Sequence, residues 1–158
     1  MTRVLDRLAR GFAFGGGAVL VALTGMSVAS IAGRGLLGRP VPGDFELVQV
    51  GCGVAIAAFL PYCQLQRGNI IVDFFTVRAS PRVQGALDAF GAFVLALVMA
   101  VLAWRTAVGT QTVRAAGEVS MIVGFPIWIG YAAIVPSLAL AALVALSTAG
   151  ESWKAARR

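Results

Sequence analysis

Very few side chains in this 158-residue sequence have the chemistry that a catalytic site requires. Histidine, the commonest general acid or base in enzymes, is absent, and the two cysteines, Cys52 and Cys63, lie within one apolar block. On a helix their spacing corresponds to about 16 Å along the axis, which is too far for a disulfide. We interpret both cysteines as small apolar residues and predict no catalytic residue, metal centre or cofactor.

The carboxylates are equally unsuited to acid–base catalysis. The one pair close together in the sequence is Asp44 and Glu46, which follows a segment rich in proline and glycine. We interpret this pair as the start of a helix, with Asp44 as its N-cap and Glu46 in the first turn, where the helix dipole favours negative charge. Glycines 15–17 are not followed by lysine and serine or threonine, so they do not form a phosphate-binding loop.

The elements around these residues have the composition of a membrane protein. Hydrophobic residues make up 59% of the sequence and charged residues 13%, and the apolar residues fall in four blocks. Soluble domains are nearer half apolar and about one-quarter charged. We predict one all-α integral membrane domain (1–158) with four transmembrane helices and a membrane-parallel interfacial segment between spans two and three. The predicted spans are about 11–32, 45–65, 85–107 and 121–148, and the interfacial segment is about 66–82.

The distribution of basic residues predicts the orientation. Nine Lys and Arg side chains lie in the N-terminus, the central segment and the C-terminal tail, against four in the other two loops. The positive-inside rule therefore predicts that both termini are cytoplasmic. The net charge of +6 lies at the ends of apolar blocks, so we expect contact with lipid headgroups and not with nucleic acid. The first apolar run is too long for a signal peptide, and we interpret it as an uncleaved span.

Small residues and prolines predict how the spans pack. Small residues recur at four-residue spacing in spans one and two: Gly25, Ala29 and Gly33, then Gly53 and Ala57. Such residues allow close approach of helices, which matters because lipid supplies no hydrophobic drive between them. Three prolines within predicted spans should bend or interrupt them: Pro61, Pro126 and Pro136.

The middle of every predicted span lacks Asp, Glu, Lys and Arg. A transporter or proton pump usually carries an ionisable group at membrane depth. Small multidrug exporters, for example, have a similar number of spans but depend on a carboxylate in the first one, which this chain lacks. We therefore predict that the chain acts through partners.

Two segments stand out as candidate contact surfaces. Residues 67–75 read Arg-Gly-Asn-Ile-Ile-Val-Asp-Phe-Phe, and residues 117–131 combine acidic, hydroxyl, proline and aromatic side chains. The candidate contacts in these segments are Arg67, Asp73, Phe74, Glu118, Ser120, Trp128 and Tyr131. For the second segment, helix capping by Glu118 and Ser120 and interfacial anchoring by the two aromatics remain alternatives.

The order of these motifs resembles the small membrane subunit, of the DctQ type, of the tripartite ATP-independent periplasmic (TRAP) transporters. That family typically has Arg-Gly-x-Ile-x-Val-Asp after span two, matched by residues 67–73. It also has Glu-x-Ser leading to an apolar-Pro-apolar-Trp stretch and a tyrosine, matched from Glu118 to Tyr131, and an Arg-Pro-apolar-Pro stretch before span two, matched by residues 39–42. The resemblance extends over nearly the whole chain.

The resemblance implies a division of labour in the bacterial inner membrane. A large membrane subunit would carry the substrate and sodium sites, a soluble periplasmic protein would capture the substrate, usually an organic acid, and the small subunit would pack against the large one. Three arginines on the periplasmic side are candidate contacts for the binding protein, or else lie among headgroups: Arg34, Arg39 and Arg114. Two alternatives remain, the small subunit of a tricarboxylate tripartite transporter and a self-associating membrane scaffold.

Overall fold

The computed structural model describes residues 3–66 and 81–157, which form four long helices. These are α1 (Arg3–Leu37), α2 (Asp44–Leu65), α3 (Pro81–Ala116) and α4 (Trp128–Ala156). All four are long and apolar enough to cross a membrane, which confirms the predicted all-α membrane fold. Most of the predicted interfacial segment lies outside the described residues, as do Arg67, Asp73 and Phe74.

The last helix begins at Trp128, later than the predicted start of span four near residue 121. Residues 121–127 belong to the loop between α3 and α4, in which Val119 and Pro126 pair as an isolated antiparallel bridge. Pro126 therefore precedes α4 and does not bend it. The apolar composition of this loop is the same as that of a span, so hydropathy alone does not separate the two. The other two prolines do lie within helices: Pro61 in α2 and Pro136 in α4.

The helices form an open row in the order α1, α2, α4, α3. The contacts are α1 with α2, α2 with α4, and α4 with α3, while α1 touches α4 only slightly. As a result α1 and α3 form the two edges of the row. The most enclosed helix is α4, whose fully buried residues include Ala141, Val144 and Ala145.

Glycines lie where neighbouring helices approach most closely. A Cβ atom on Gly16 of α1 would be 3.1 Å from both the carbonyl oxygen of Ala55 and the Cβ of Ala58 in α2. A Cβ atom on Gly130 of α4 would be 2.6 Å from Cγ1 of Val50 in α2. Because packing rather than hydrophobic burial drives helix association in lipid, these short approaches supply much of the attraction between helices.

The small residues singled out in span one lie on a different face. Gly25 and Ala29 are exposed, and a Cβ atom on Gly25 would meet no atom within 4 Å. Gly33 instead approaches the following loop, since a Cβ atom there would be 2.8 Å from the carbonyl oxygen of Arg39. No described helix of the chain therefore packs against Gly25 and Ala29.

The small residues singled out in span two face α4. Ala57 is buried, and a Cβ atom on Gly53 would lie 3.9 Å from Cδ1 of Ile134. At that distance a Cβ atom would make ordinary van der Waals contact, so an alanine would fit at Gly53 and the approach of the two helices does not require glycine there. The stripes in α1 and α2 therefore differ in what they contact, although their sequences look alike.

Substituting Gly16 by leucine should weaken the packing of α1 on α2. The new side chain would press on the α2 backbone, and overpacking of this kind costs about 1–3 kcal/mol. Gly17→Leu is the matched control, since a Cβ atom at Gly17 meets no atom within 4 Å. Thermal unfolding in one mild detergent should show a lower midpoint for Gly16→Leu alone. Equal midpoints for the two variants would contradict this packing.

Candidate functional site

Two connecting loops meet at one end of the helical row, where α1 and α3 end and α2 and α4 begin. We call this region the two-loop end and define it as Ser30, residues 34–46 and residues 114–131. The alternating direction of the four helices brings together candidates that are far apart in the sequence. The candidate charged, hydroxyl and aromatic residues found here are Arg34, Arg39, Arg114, Glu118, Ser120, Trp128 and Tyr131.

The first polar contact of the two-loop end joins α1 to α2. The hydroxyl of Ser30 donates a hydrogen bond to Oδ2 of Asp44, and the backbone N–H of Val41 donates to Oγ of Ser30 at 3.2 Å. Ser30 is only 1% exposed, so these bonds satisfy a polar group that is otherwise costly to bury. The other oxygen of Asp44 accepts the N–H of Phe45 at 2.8 Å, and the charge of Arg34 stabilises the carboxylate through space.

Glu46 makes the second polar contact, which joins α2 to the loop before α4. Its Oε1 accepts the N–H of Ile122 at 3.0 Å, and its Oε2 accepts the N–H of Val123 at 3.3 Å, across 76 and 77 residues of sequence. The hydroxyl of Ser120 also interacts with this carboxylate. Successive backbone N–H groups form an anion-binding concavity, and a charged acceptor strengthens each bond. Glu46 therefore fixes the position of the loop on α2.

The loop itself is held by its own hydrogen bonds. The N–H of Ser120 donates to the carbonyl of Phe125 at 2.9 Å, and the N–H of Phe125 donates to Oγ of Ser120 at 3.1 Å. Further along, the N–H of Gly124 donates to the carbonyl of Ser120, and the N–H of Ile127 to that of Glu118. Ser120 therefore shapes the loop, eight residues before α4 begins, and does not cap that helix.

Arg114 and Trp128 form a single unit that ties α3 to α4. The end of α3 is a Schellman motif: Gly117, at φ +66°, donates to the carbonyl of Arg114, and Glu118 donates to that of Val113. The guanidinium carbon of Arg114 lies 5.0 Å from the ring centroid of Trp128. This is cation–π geometry, so an arginine and an aromatic that we predicted to act separately stabilise each other.

Gly43 marks the point where the two loops touch. It is the N-cap of α2 at φ +71°, with no side-chain cap, so the predicted capping role of Asp44 is wrong and Asp44 is the first helical residue. A Cβ atom on Gly43 would lie 1.9 Å from Cγ2 of Val123. Glycine tolerates both the left-handed backbone and this contact, which is why the chain can place the loops against each other here.

The outer surface of the two-loop end mixes charge with exposed apolar groups. Arg34, Arg39 and Glu118 are exposed, and Met121 at the tip of the loop is 100% exposed. Among the described residues, no group of three or more His, Cys, Asp or Glu side chains could hold a metal ion. The arrangement suits recognition of another molecule, with its backbone fixed in advance by the contacts described above.

Three residues central to this site were not identified as such from the sequence: Ser30, Gly43 and Glu46. Glu46 was interpreted only as part of a helix start, and its partners lie 76 residues away, beyond any local pattern. Ser30 gave a weak signal, since it is a hydroxyl near the end of an apolar span. The Pro-Gly-acid sequence before α2 indicated a turn and a helix start but not what the turn contacts.

The fold and this site define a multi-pass membrane protein whose polar groups organise loops at one end of the helices. The family model of the DctQ component of the tripartite ATP-independent periplasmic transporters matches residues 23–155. The chain therefore belongs to this family, as its motifs predicted, and is the small subunit of a TRAP transporter. No curated protein and no solved structure matches the chain.

Substituting Gly43 by alanine should destabilise the two-loop end more than the same change at Gly38. Both glycines have positive φ, so each alanine costs about 1–2 kcal/mol of backbone strain. Only the alanine at Gly43 would also collide with Val123, which adds about 1–3 kcal/mol. Thermal unfolding should therefore show the larger drop for Gly43→Ala, and equal drops would contradict the contact between the loops.

Removing the carboxylate of Glu46 should release the loop from α2. In Glu46→Ala, the amides of Ile122 and Val123 lose their acceptors, and their hydrogen exchange should accelerate several-fold. Glu118→Ala is the control, because it makes the same change in net charge at an exposed carboxylate. Exchange measured by mass spectrometry on peptides covering the loop separates the two. Unchanged exchange in Glu46→Ala would show that the loop holds its place without this residue.

Proposed function

We propose that this chain is the non-catalytic small subunit of a sodium-coupled TRAP transporter that imports organic acids, and that it packs against and stabilises the large transport subunit. The family membership supports the type of transport system. Sodium coupling and an organic-acid substrate follow from the resemblance described for the sequence. The observation that carries the helper role is the absence of charge from the centres of the four helices.

Each of the four helices contains a long charge-free stretch. These stretches are residues 11–33 in α1, 47–65 in α2, 89–104 in α3 and 128–150 in α4. A sodium ion or a carboxylate crossing the bilayer needs charged or strongly polar partners at depth. This chain offers no charged side chain there, so we assign the ion and substrate sites to the large subunit.

The exposed edge formed by α1 is the surface we propose for packing against the large subunit. Phe14, Val21 and Val28 are 81%, 73% and 61% exposed and recur at seven-residue spacing, which places them on one face. Gly25 lies on the same face with open space above it. Large side chains next to a glycine on one face allow a partner helix to approach closely and pack against them.

The opposite edge, formed by α3, has a different character. Its exposed residues are bulky along most of the helix, including Phe90, Phe93, Leu97, Val101 and Trp104. Continuous bulky apolar surface suits lipid chains, which require no specific fit. We therefore propose that the α1 edge contacts the large subunit and that the α3 edge faces lipid.

We further propose that both termini are cytoplasmic and that the two-loop end faces the periplasm, as the positive-inside count favours. Arg34 and Arg39 would then be available to the substrate-binding protein, whereas Arg114 is engaged with Trp128. On the cytoplasmic side, Arg67, Asp73 and Phe74 remain proposed contacts with the large subunit. Tyr131, which is partly exposed, remains a proposed interfacial anchor or subunit contact.

Co-purification with the large subunit tests this assignment. In mild detergent the chain should bring down a large multi-span partner at equal stoichiometry, and Gly25→Leu should reduce the recovered partner several-fold by blocking close approach at the α1 edge. Gly91→Leu makes the same change on α3, where a Cβ atom also meets nothing within 4 Å, and should leave recovery unchanged.

Three outcomes would contradict the proposal. Recovery of the wild-type chain only as a homo-oligomer would refute the helper role, and loss of the partner in Gly91→Leu but not in Gly25→Leu would place the interface on α3. Sodium-driven uptake that persists after deletion of the chain would show that the large subunit does not need it.

A further inference from the structure

An open groove of about 480 Å³ runs along one face of the helical row, between α1, α2 and α4. Along α1 it extends from Arg7 to Val19, and its remaining walls are small or apolar residues of the other two helices. Gly15 and Val19 are rotated away from the face of α1 that carries Phe14. Arg7, seven residues before Phe14, lies on that face at one end of the groove.

Missing side chains keep this groove open. Gly11 and Gly15 both line it, and a Cβ atom at either position would meet no atom within 4 Å. Gly16, which also lines the groove, is instead packed against Ala58 of α2. The groove therefore has a firm wall where α1 meets α2 and free space where the other two glycines lie.

Among the residues that the structure describes, one unpaired cation lies at one end of the groove. Arg10 forms an ion pair with Asp6 at 3.1 Å, and its charge is thereby balanced. Arg7 lines the groove, is exposed, and has no hydrogen-bond or ion-pair partner among the described residues. The groove is therefore apolar along its length and carries the Arg7 guanidinium at one end, so it has the chemistry to bind an amphiphile with an anionic head group.

The length of the groove matches one leaflet of the bilayer. From Arg7 to Val19 it is about 18 Å long, close to the roughly 15 Å of hydrocarbon in one leaflet. An acyl chain that follows the groove would therefore place its head group near Arg7.

We propose that this groove binds an anionic phospholipid, with the phosphate on Arg7 and one acyl chain lying along Gly11 and Gly15. The proposal does not depend on the assignment of the large subunit. Arginine binds phosphate through charge-assisted hydrogen bonds, and a lipid chain fills an apolar trough that a protein side chain would otherwise occupy. A filled groove also completes the packing of α1 on the rest of the row.

Native mass spectrometry of the full-length chain with added phosphatidylglycerol tests the proposal. Arg7→Gln should weaken lipid binding about fivefold, the effect of one basic side chain at a membrane surface. The control Arg10→Gln changes the net charge equally but removes a paired arginine. Gly15→Leu should fill the trough and abolish the bound lipid, whereas Gly17→Leu, outside the groove, should not. Glycerol phosphate, the head group without chains, should fail to displace the lipid.

Several results would overturn the proposal. Equal losses in Arg7→Gln and Arg10→Gln would show only general attraction to a basic helix, and displacement by glycerol phosphate would reduce the site to an anion site. Unchanged lipid binding in Gly15→Leu, together with loss of the large subunit on co-purification, would assign the groove to that subunit. Because lipid retention and co-purification are measured separately, failure of this proposal is distinguishable from failure of the proposed function.

Discussion

The contact between α2 and α4 holds together two helical hairpins that share no other extensive surface among residues 3–66 and 81–157. In the first turn of α4 the contact depends on Gly130, which allows that helix to approach Val50 of α2. At the two-loop end it depends on Glu46, whose carboxylate accepts two backbone N–H groups of the loop before α4. An apolar close approach and a charged hydrogen-bonded contact thus act on the same pair of helices, about one helical turn apart in α2, and together they fix how the two hairpins meet at this end.

An open row of helices exposes more apolar surface than a closed bundle of the same length. In water such a surface would be a liability, but in a membrane both faces and both edges can be covered by lipid or by another protein. The chain distributes its side chains accordingly, with glycine and alanine interspersed on α1 and bulky residues on α3. The charge-free centres and the open edges both fit the proposed function, in which the chain supplies surface and leaves the polar pathway to its neighbour.

Hydropathy and glycine–proline patterning were sufficient to predict four spans and the ends of α2. They failed at residues 121–127, because an apolar loop folded against a helix end has the same hydropathy as the helix. The motifs identified the family. Helical periodicity cannot tell which small residues of α1 contact another helix, since Gly16 and Gly25 differ only in what lies opposite them. Long-range polar contacts such as that of Glu46 depend on which helices are neighbours, which the sequence of one helix does not contain.

The lengths of the helices have a consequence for the bilayer. The shortest helix, α2, has 22 residues, or about 33 Å, close to the thickness of the hydrocarbon layer. The edge helices α1 and α3 have 35 and 36 residues and exceed that thickness, so they tilt or extend beyond it. Since Asp44 and Glu46 begin α2 and Gln66 follows it, a thicker membrane would draw these polar groups into hydrocarbon. Hydrophobic mismatch at this one helix therefore sets the depth at which the whole row sits, and with it the depth of any protein attached to the row.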